Sequence, residues 1–419
     1  MKRLVFLNRF FHPDHSATSQ ILSDLSFHLA ASGADVHVIT SRQLYDSPRA
    51  FLPKKDAVSG VHIHRVATTG FGRSGLWGRA IDYASYYGSM WRCARSLVGA
   101  GDVLIAKTDP PLTSIIAMRV AIHSNARLVN WLQDIYPEAA AELGVPFMRG
   151  AAGQRLCHVR DLSLLRAEAN VVVGHHMAER VRLRGVSSDR VHVIPNWCDD
   201  EQICPIGQDE NPLRREWGLE HNFVVGYSGN LGRAHEFHTV ISAADRLRSD
   251  PRIAFLFIGG GHQFDRLAQE VKERNLHQMF RFIAYQRQEL LKYSLNVPDV
   301  HLISLKPELE GLIVPSKFYG IAAVGKPVIS ITARDGEIAR LVRQHECGLV
   351  IEPGNGQALA EALILLSKNP PRVAQMGKRS RAMLDDNFAR RHAFARWQQL
   401  LAAMMKPTEV ATRSQVTRA

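Results

Sequence analysis

Residues 191–227, VHVIPNWCDDEQICPIGQDENPLRREWGLEHNFVVGY, decide the fold. The stretch opens on a β-branched run at 191–194 and passes through Pro195-Asn196-Trp197 into acidic, amide and proline-bearing chain between Asp199 and Arg215. It ends on a second apolar run at 223–227. A strand, a polar interruption and a new strand is the composition of a joint between two domains. Upstream of the joint, short apolar runs at 4–7, 36–39, 61–66, 103–106, 128–132 and 171–173 alternate with amphipathic stretches at 18–31, 110–123 and 177–184. Downstream, runs at 253–258, 300–304, 328–331 and 349–351 alternate with stretches at 236–248, 264–274, 316–323 and 357–366. Short apolar runs separated by longer helix-periodic stretches mark successive strand–helix units of a parallel sheet. The sequence therefore predicts an α/β protein of two doubly wound, Rossmann-like domains, residues 1–199 and 221–387, joined by a linker at 200–220. A helix at 388–405 is expected to return to the first domain, and 406–419 to form a flexible tail. Two such domains present the carboxyl ends of their strands to a central cleft, so function is expected on the strand-to-helix loops.

Composition narrows the class. Of 419 residues 46% are hydrophobic and 22% charged, ordinary globular usage that excludes disordered, collagen-like and coiled-coil chains. No period of repeat-protein length recurs. The five cysteines, Cys93, Cys157, Cys198, Cys204 and Cys347, are widely spaced and form no C-x-x-C, so neither a disulfide framework nor a zinc site is expected, and a reducing cytoplasm fits. No uncharged run approaches the roughly 18 residues of a membrane span, and the first strand follows too closely on Met1-Lys2-Arg3 for a signal segment. The net charge of +12 implies an anionic partner, either a nucleotide or a lipid phosphate surface. Residues 1–200 and the remainder each carry +6, without a basic arm, which counts against nucleic acid.

Two loops carry phosphate and sugar chemistry. In Tyr227-Ser228-Gly229-Asn230-Leu231-Gly232-Arg233-Ala234-His235 a strand runs through two glycines toward a helix, where free backbone N–H groups can meet phosphate oxygens; a plain turn is the alternative. The second loop, Glu308-Leu309-Glu310-Gly311-Leu312-Ile313-Val314-Pro315-Ser316-Lys317, sets a carboxylate pair before Pro-Ser-Lys at a helix start. A carboxylate accepts from two sugar hydroxyls and an ammonium suits a phosphate oxygen, although Ser316 as a simple N-cap with Lys317 in solvent is also open.

Residues 1–405 resemble glycosyltransferase family 4, retaining nucleotide-sugar transferases of GT-B fold, above all the bacterial branch of surface-polysaccharide and O-antigen assembly. Val193-Ile194-Pro195-Asn196-Trp197-Cys198-Asp199 is similar to the family's V-I-P-N-G-V-D, and Glu310-Gly311 with Lys317 to its acidic donor region. Asp335-Gly336-Glu337-Ile338 with Cys347-Gly348-Leu349-Val350 resembles a shortened G-G-x-x-E and the N-G-L-L-V that follows it. The departures are specific: Asn230 and His235 stand where many relatives carry an Arg and a Lys gripping the diphosphate. The second carboxylate of the family's E-x7-E falls on Gly320, and Gln133 replaces the histidine of a His-Asp pair.

The resemblance implies a transfer of a hexose or N-acetylhexosamine from a nucleotide-diphosphate sugar to a lipid-linked, polyprenyl-diphosphate glycan, at the inner face of the plasma membrane. Glu310, Asp134 and Lys317 are the implied catalytic groups, a helix N-cap being the alternative for Asp134. Ser228, Gly229, Asn230, Gly232, Arg233 and Lys317 are implied to hold the diphosphate, Glu310, Gly311 and Leu312 the sugar, and Tyr285 and Gln286 the base. His12, His15, Ser16 and Lys107 are implied on the acceptor side, the first three alternatively forming a capped turn. Basic groups in place of a D-x-D imply no metal and no cofactor. Trp77, Tyr83, Tyr86, Tyr87 and Trp91 among Arg73, Arg79, Arg92 and Arg95 suit a membrane interface or, alternatively, packing on the sheet. A non-hydrolysing nucleotide-sugar 2-epimerase and an inert partner subunit are the alternatives that this pattern leaves.

Overall fold

The computed structural model describes residues 2–45, 47, 51–72, 75–207 and 210–405. The tail at 406–419 and Arg73 of the aromatic and basic stretch lie outside the described residues.

Eight strands form one sheet: β1 (Leu4–Leu7), β2 (Val36–Ser41), β3 (Lys55–Val58), β4 (Val61–Val66), β5 (Val103–Lys107), β6 (Arg127–Leu132), β7 (Ala169–Val172) and β8 (Val191–Val193). Their order is β3-β4-β2-β1-β5-β6-β7-β8. A second sheet holds β9 (Phe223–Asn230), β10 (Ile253–Gly260), β11 (Phe280–Ile283), β12 (Val300–Ser304), β13 (Val328–Ile331) and β14 (Gly348–Ile351), in the order β11-β10-β9-β12-β13-β14. Helices cover both faces of such a sheet, which is why β1, β5 and β13 are buried at every residue and show no alternation. Apart from β2, which leads into β3, each central strand is followed by a helix, and each sheet reverses its order beside its first strand, as in doubly wound folds.

Contacts gather the chain into two compact units. The first holds the chain up to Ala106, Ile116–Val129 and the chain from Phe394 onward. Its core packs β1 and β2 against Leu22 and Leu25 of the helix Ala17–Ala31 and against Tyr86, Met90 and Ala94 of the helix Leu76–Leu97. The helix Arg390–Met405 closes this unit through Phe394, stacked on His28 at 4.2 Å, and through Lys2 Nζ, which donates to the Met405 carbonyl at 3.0 Å.

The second unit holds Lys107–Ile115 and Asn130–Ala393. One of its cores lines the six-stranded sheet, with Phe255, Phe257, Leu302 and Leu363 fully enclosed. Another brings Leu132, Ile135, Met177 and Val181 against Leu309, Leu312, Val314, Phe318 and Ile338, and so fixes the loops on which the site is built. The stretch 200–220, expected as linker, contains the helix Pro212–Glu216 capped by Asn211, and Leu213 and Leu219 are buried against Val224 and Leu256.

Several elements depart from the sequence reading. The edge strand β3 pairs antiparallel with β4 although Lys55, Asp56 and Ala57 are exposed and the first two are charged. Strand β11 and the helix Ala151–Arg166 are hidden in the sequence by charged residues among their apolar ones. Strand β9 continues to Asn230 because Gly259 and Gly260 pair with Gly229 and Asn230. Among the described residues no helix is long and apolar enough to cross a membrane.

Candidate active site

Lys317 opens the helix Lys317–Ala323, which the buried Phe318 and Tyr319 anchor. Its stem is half-buried but its Nζ is fully enclosed, 3.6 Å from the centre of the Tyr227 ring, and makes no hydrogen bond. Burial alone lowers its pKa to about 7. Tyr227 keeps its hydroxyl occupied by donating to the Asn230 carbonyl at 2.9 Å. Gly229, at φ 119°, leaves the approach to the ammonium open: a Cβ there would stand 3.8 Å from Nζ. His235 Nδ1 donates to the Ser304 carbonyl at 2.6 Å, and burial with the Lys317 charge pushes its pKa down to about 3. The imidazole is therefore neutral, so His235 adds no cation where relatives carry lysine.

The glycine loop differs from expectation in one respect. Ser228, Gly229 and Asn230 belong to β9, and the next helix starts only at His238. Their N–H groups thus lie at a strand end and not at a helix start. Gly232 and the exposed Arg233 follow in the intervening loop. Beside them the Tyr285 ring lies on the backbone of Gly259 and Gly260, so close that a Cβ on Gly260 would meet it at 3.1 Å. Tyr285 is 60% exposed and offers a flat apolar platform, whereas Gln286 turns its amide to the Ala284 carbonyl at 3.0 Å.

Glu310 lies before a turn that Gly311 makes at φ 72°. Its carbonyl accepts from Arg180 Nε and Nη2 at 3.1 and 2.8 Å, and its Oε2 accepts from the Glu337 N–H at 3.3 Å. Oε1 is buried and makes no hydrogen bond. Gly336 makes room for this carboxyl, since a Cβ there would fall 2.2 Å from Oε1. Burial, and secondarily the Glu337 charge, push Glu310 up to about 7 against the opposing Glu337 N–H and Arg180. Glu337 is held in turn by the His176 N–H at 3.1 Å and by Arg340 at 2.7 Å. Glu308, two residues earlier, is exposed. Leu312, expected against the sugar, is 2% exposed and sits in the core, where its carbonyl accepts from Ile135 N–H at 2.9 Å. Its role is to position the loop.

Asp134 follows β6 and forms an isolated bridge with Ile313 in the loop after Glu310. Lys107 ends β5, is 1% exposed, and holds its Nζ 4.2 Å from the Trp131 ring, itself stacked on Trp197 at 6.1 Å. Burial lowers the Lys107 pKa, against the charges of Asp109 and Asp134; burial and Asp109 raise that of Asp134. The second unit thus contains every expected site residue except His12, His15 and Ser16, which belong to the first. There Asp14 Oδ1 accepts from the Ser16 N–H and hydroxyl at 2.8 and 2.5 Å, and His12 packs edge-on against Phe27 at 5.5 Å. This is the capped turn of the alternative reading, and only His15 of the two histidines is exposed. Arg180 and His176 escape a reading of the sequence because nothing local marks them. Glu337 stands within the shortened G-G-x-x-E, yet nothing in that motif places it beside Glu310.

Residues 209–383 match the family model for glycosyl transferases group 1, and residues 17–197 match that of the glycosyl transferase 4-like domain. The probable glycosyltransferase WbjE of Pseudomonas aeruginosa is 25% identical over 293 residues, 69% of this chain and 71% of that one. WcaI of Escherichia coli K12, named for colanic acid biosynthesis, is 29% identical over 255 residues, 59% of this chain and 62% of that one. Among solved structures, Anabaena Alr3699/HepE in complex with UDP superposes with a TM-score of 0.72 at 16% identity, covering 96% of this chain and 100% of that one. Sucrose-phosphate synthase of Thermosynechococcus elongatus gives 0.75 at 17% identity, covering 96% and 99%. With two adjacent family matches spanning both sheets, and two sheets wound as in those structures, the chain belongs to glycosyltransferase family 4 and is a glycosyltransferase of GT-B type.

Proposed function

We propose that the protein moves a hexose or an N-acetylated hexosamine from a nucleotide-diphosphate sugar to a polyprenyl-diphosphate-linked glycan, with retention of configuration, in the assembly of a cell-surface polysaccharide. One observation carries the reading: the Lys317 ammonium is enclosed on an aromatic ring with, among the described residues, no anion beside it. An isolated buried charge is costly, and a phosphate oxygen is the partner that would offset it. HepE forms a complex with UDP-glucose, a donor of this chemistry, which supports a nucleotide sugar here.

In this reading Lys317 and the β9 end at Ser228–Asn230 meet the diphosphate, with Gly232 and Arg233 at its rim. Tyr285 stacks on the base, with Gln286 at its edge, and the unoccupied Glu310 Oε1 accepts from a sugar hydroxyl. Lys317 supplies the countercharge, so no metal is required. The bond from the anomeric carbon to the phosphate oxygen breaks while the acceptor oxygen bonds to that carbon on the same face, and the departing phosphate takes the acceptor proton. The chain's own contribution is orientation and charge stabilisation. Asp134 and Lys107 serve as polar contacts to the reacting sugars, and His15 remains an acceptor-side contact.

Docking at the inner membrane face is supported by the helix Leu76–Leu97. Tyr86, Met90 and Ala94 point into the core, while Trp77, at 84% exposure, Ile81 and Trp91 stand outside with Arg79, Arg92 and Arg95. An apolar and cationic outer face suits a lipid surface.

A thermal-shift screen against UDP, GDP and ADP sugars tests the donor, because a ligand bound only by the folded state raises Tm. Radiolabelled donor is then followed into a polyprenyl-diphosphate glycan extract; label in the lipid phase marks transfer, and label in an epimerised nucleotide sugar marks 2-epimerase chemistry. A chain that no nucleotide sugar stabilises would contradict the reading. For docking, the Arg79→Glu, Arg92→Glu double variant should no longer sediment with anionic vesicles.

A further inference from the structure

Far along the chain from the donor loops, the first unit carries a histidine cluster that none of this chemistry uses. Strands β2 and β4 pair in parallel with His37 opposite His62 and Ile39 opposite His64. Residues two apart on a strand share a face, so the register gathers three imidazoles on one side of the sheet. The rings of His37 and His62 stack at 4.8 Å and those of His37 and His64 at 5.2 Å. Asp35, just before β2, brings Oδ1 to 3.0 Å from His37 Nε2, and His37 Nδ1 lies 2.9 Å from His64 Nε2. One ligand atom each from Asp35, His37 and His62 lies within 4.8 Å of the others.

We infer that Asp35, His37 and His62 bind a divalent transition-metal ion of the Zn2+ class, with His64 as the outer partner that orients His37. Imidazole and carboxylate together select this class over Mg2+ or Ca2+, which take all-oxygen shells. Ligands about 2.1 Å from a tetrahedral ion stand roughly 3.4 Å apart; Asp35 and His37 are already at 3.0 Å, so only His62 must close in, from at most 4.8 Å. His62 is exposed and can turn inward without disturbing the core. Water fills the fourth position, as at sites with three protein ligands.

Of the two contacts of His37, the one from Nδ1 to His64 already suits the bound state, and the ion would take the place of the proton between Nε2 and Asp35 Oδ1. With the ion on Nε2, the His37 proton sits on Nδ1 and is donated to His64 Nε2, the outer contact that fixes a ligating histidine's tautomer. Metal binding requires neutral imidazoles. Arg3 and Lys55 are the cations facing the cluster; they oppose a bound cation and Asp35 offsets them. The ion would tie β2 to β4.

Calorimetric titration of the full chain with ZnCl2, beside melting curves with and without zinc, tests the site. The expected result is one equivalent bound with a rise in Tm, both lost in His62→Ala and in Asp35→Asn. His64→Gln should keep the stoichiometry and weaken affinity by about 10- to 100-fold. His62 is exposed, so its variant should melt like the metal-free parent, which separates lost binding from lost folding. Absence of saturable binding by the parent, or parental affinity in both His62→Ala and Asp35→Asn, would overturn the inference.

Discussion

Two lysines of the second unit make a natural experiment in burying charge. Lys107 and Lys317 each enclose an ammonium on an aromatic ring, Trp131 at 4.2 Å and Tyr227 at 3.6 Å, and burial lowers the pKa of both. They differ in their neighbours. Asp109 and Asp134 beside Lys107 counter the effect of burial, whereas no charge among the described residues does so for Lys317. The first cation is compensated by the protein, and its removal strands carboxylates. The second is compensated by no group among the described residues, and an uncompensated buried charge persists where function repays its cost in stability.

The largest effect expected from this contrast is on stability, and it has opposite signs at the two sites. Lys107→Met should destabilise the protein by about 3–5 kcal/mol, the cost of leaving one half of a buried charge pair. Lys317→Met should instead stabilise the ligand-free protein, by roughly 1–4 kcal/mol, the range found when buried charged groups give way to apolar ones. The sign follows from linkage. Between the folded pKa near 7 and the ordinary 10.5, the unfolded chain holds a proton that the folded chain lacks, so lowering the pH disfavours folding. The gain in Lys317→Met should therefore be greatest below pH 7 and fade toward pH 10.5. Urea denaturation at pH 6 and pH 9 measures both, and equal destabilisation by the two variants would dissolve the contrast.

Binding comes next in size. Lys317→Met should weaken the donor nucleotide by roughly 1.5–3 kcal/mol, the scale of a hydrogen bond to a charged group, while Lys107→Met costs less. Calorimetry well below the melting temperature of each variant compares them. Glu310 sharpens the same point from the carboxylate side, because its free Oε1 is assigned to the sugar. Glu310→Gln should lower kcat about tenfold, equivalent to about 1.4 kcal/mol of transition-state stabilisation, and spare affinity for the bare nucleotide. The exposed Glu308 is the control: damage from Glu308→Gln with a silent Glu310→Gln would move the role to the other carboxylate.

These tests rest on features that are legible in the sequence to different degrees. Strands β12 and β13 stand at the residues where apolar runs placed them, because a strand buried on both faces must be largely apolar, and β4 does so through the alternation of buried Val61 and Ile63 with His62 and His64. Strand β3, reading Lys55-Asp56-Ala57-Val58, carries no such signal, since an edge strand can be held by its ladder alone. Lys317 and Glu310 are visible as types of side chain at a helix start and in a loop. Their environments are not: the Tyr227 ring comes from β9, and the Glu337 N–H and Arg180 reach Glu310 across separations of 27 and 130 residues. Long-range pairing of this kind leaves no local periodicity. The capped turn at Asp14–Ser16 shows the converse, a short-range interaction that residue type alone could suggest.

The smallest expected effect is a slope with pH, and it isolates the titrating group. A nucleotide sugar has its diphosphate esterified at both ends and carries no phosphate group that titrates near neutrality, so any pH dependence of its affinity arises in the protein. Lys317, with a pKa near 7, is mostly charged at pH 6.5 and mostly neutral at pH 7.5. Bound diphosphate favours the charged form, so affinity should fall with rising pH, by about threefold across that interval and by at most about tenfold per unit above it. Glu310 also has a pKa near 7 and gains negative charge in the same direction, so the parent alone does not identify the group. The variants do: Lys317→Met should flatten the slope and Glu310→Gln should preserve it. A slope that survives in Lys317→Met and disappears in Glu310→Gln would assign the titration to the carboxyl, and Lys317 would then hold the donor no more directly than Lys107 does.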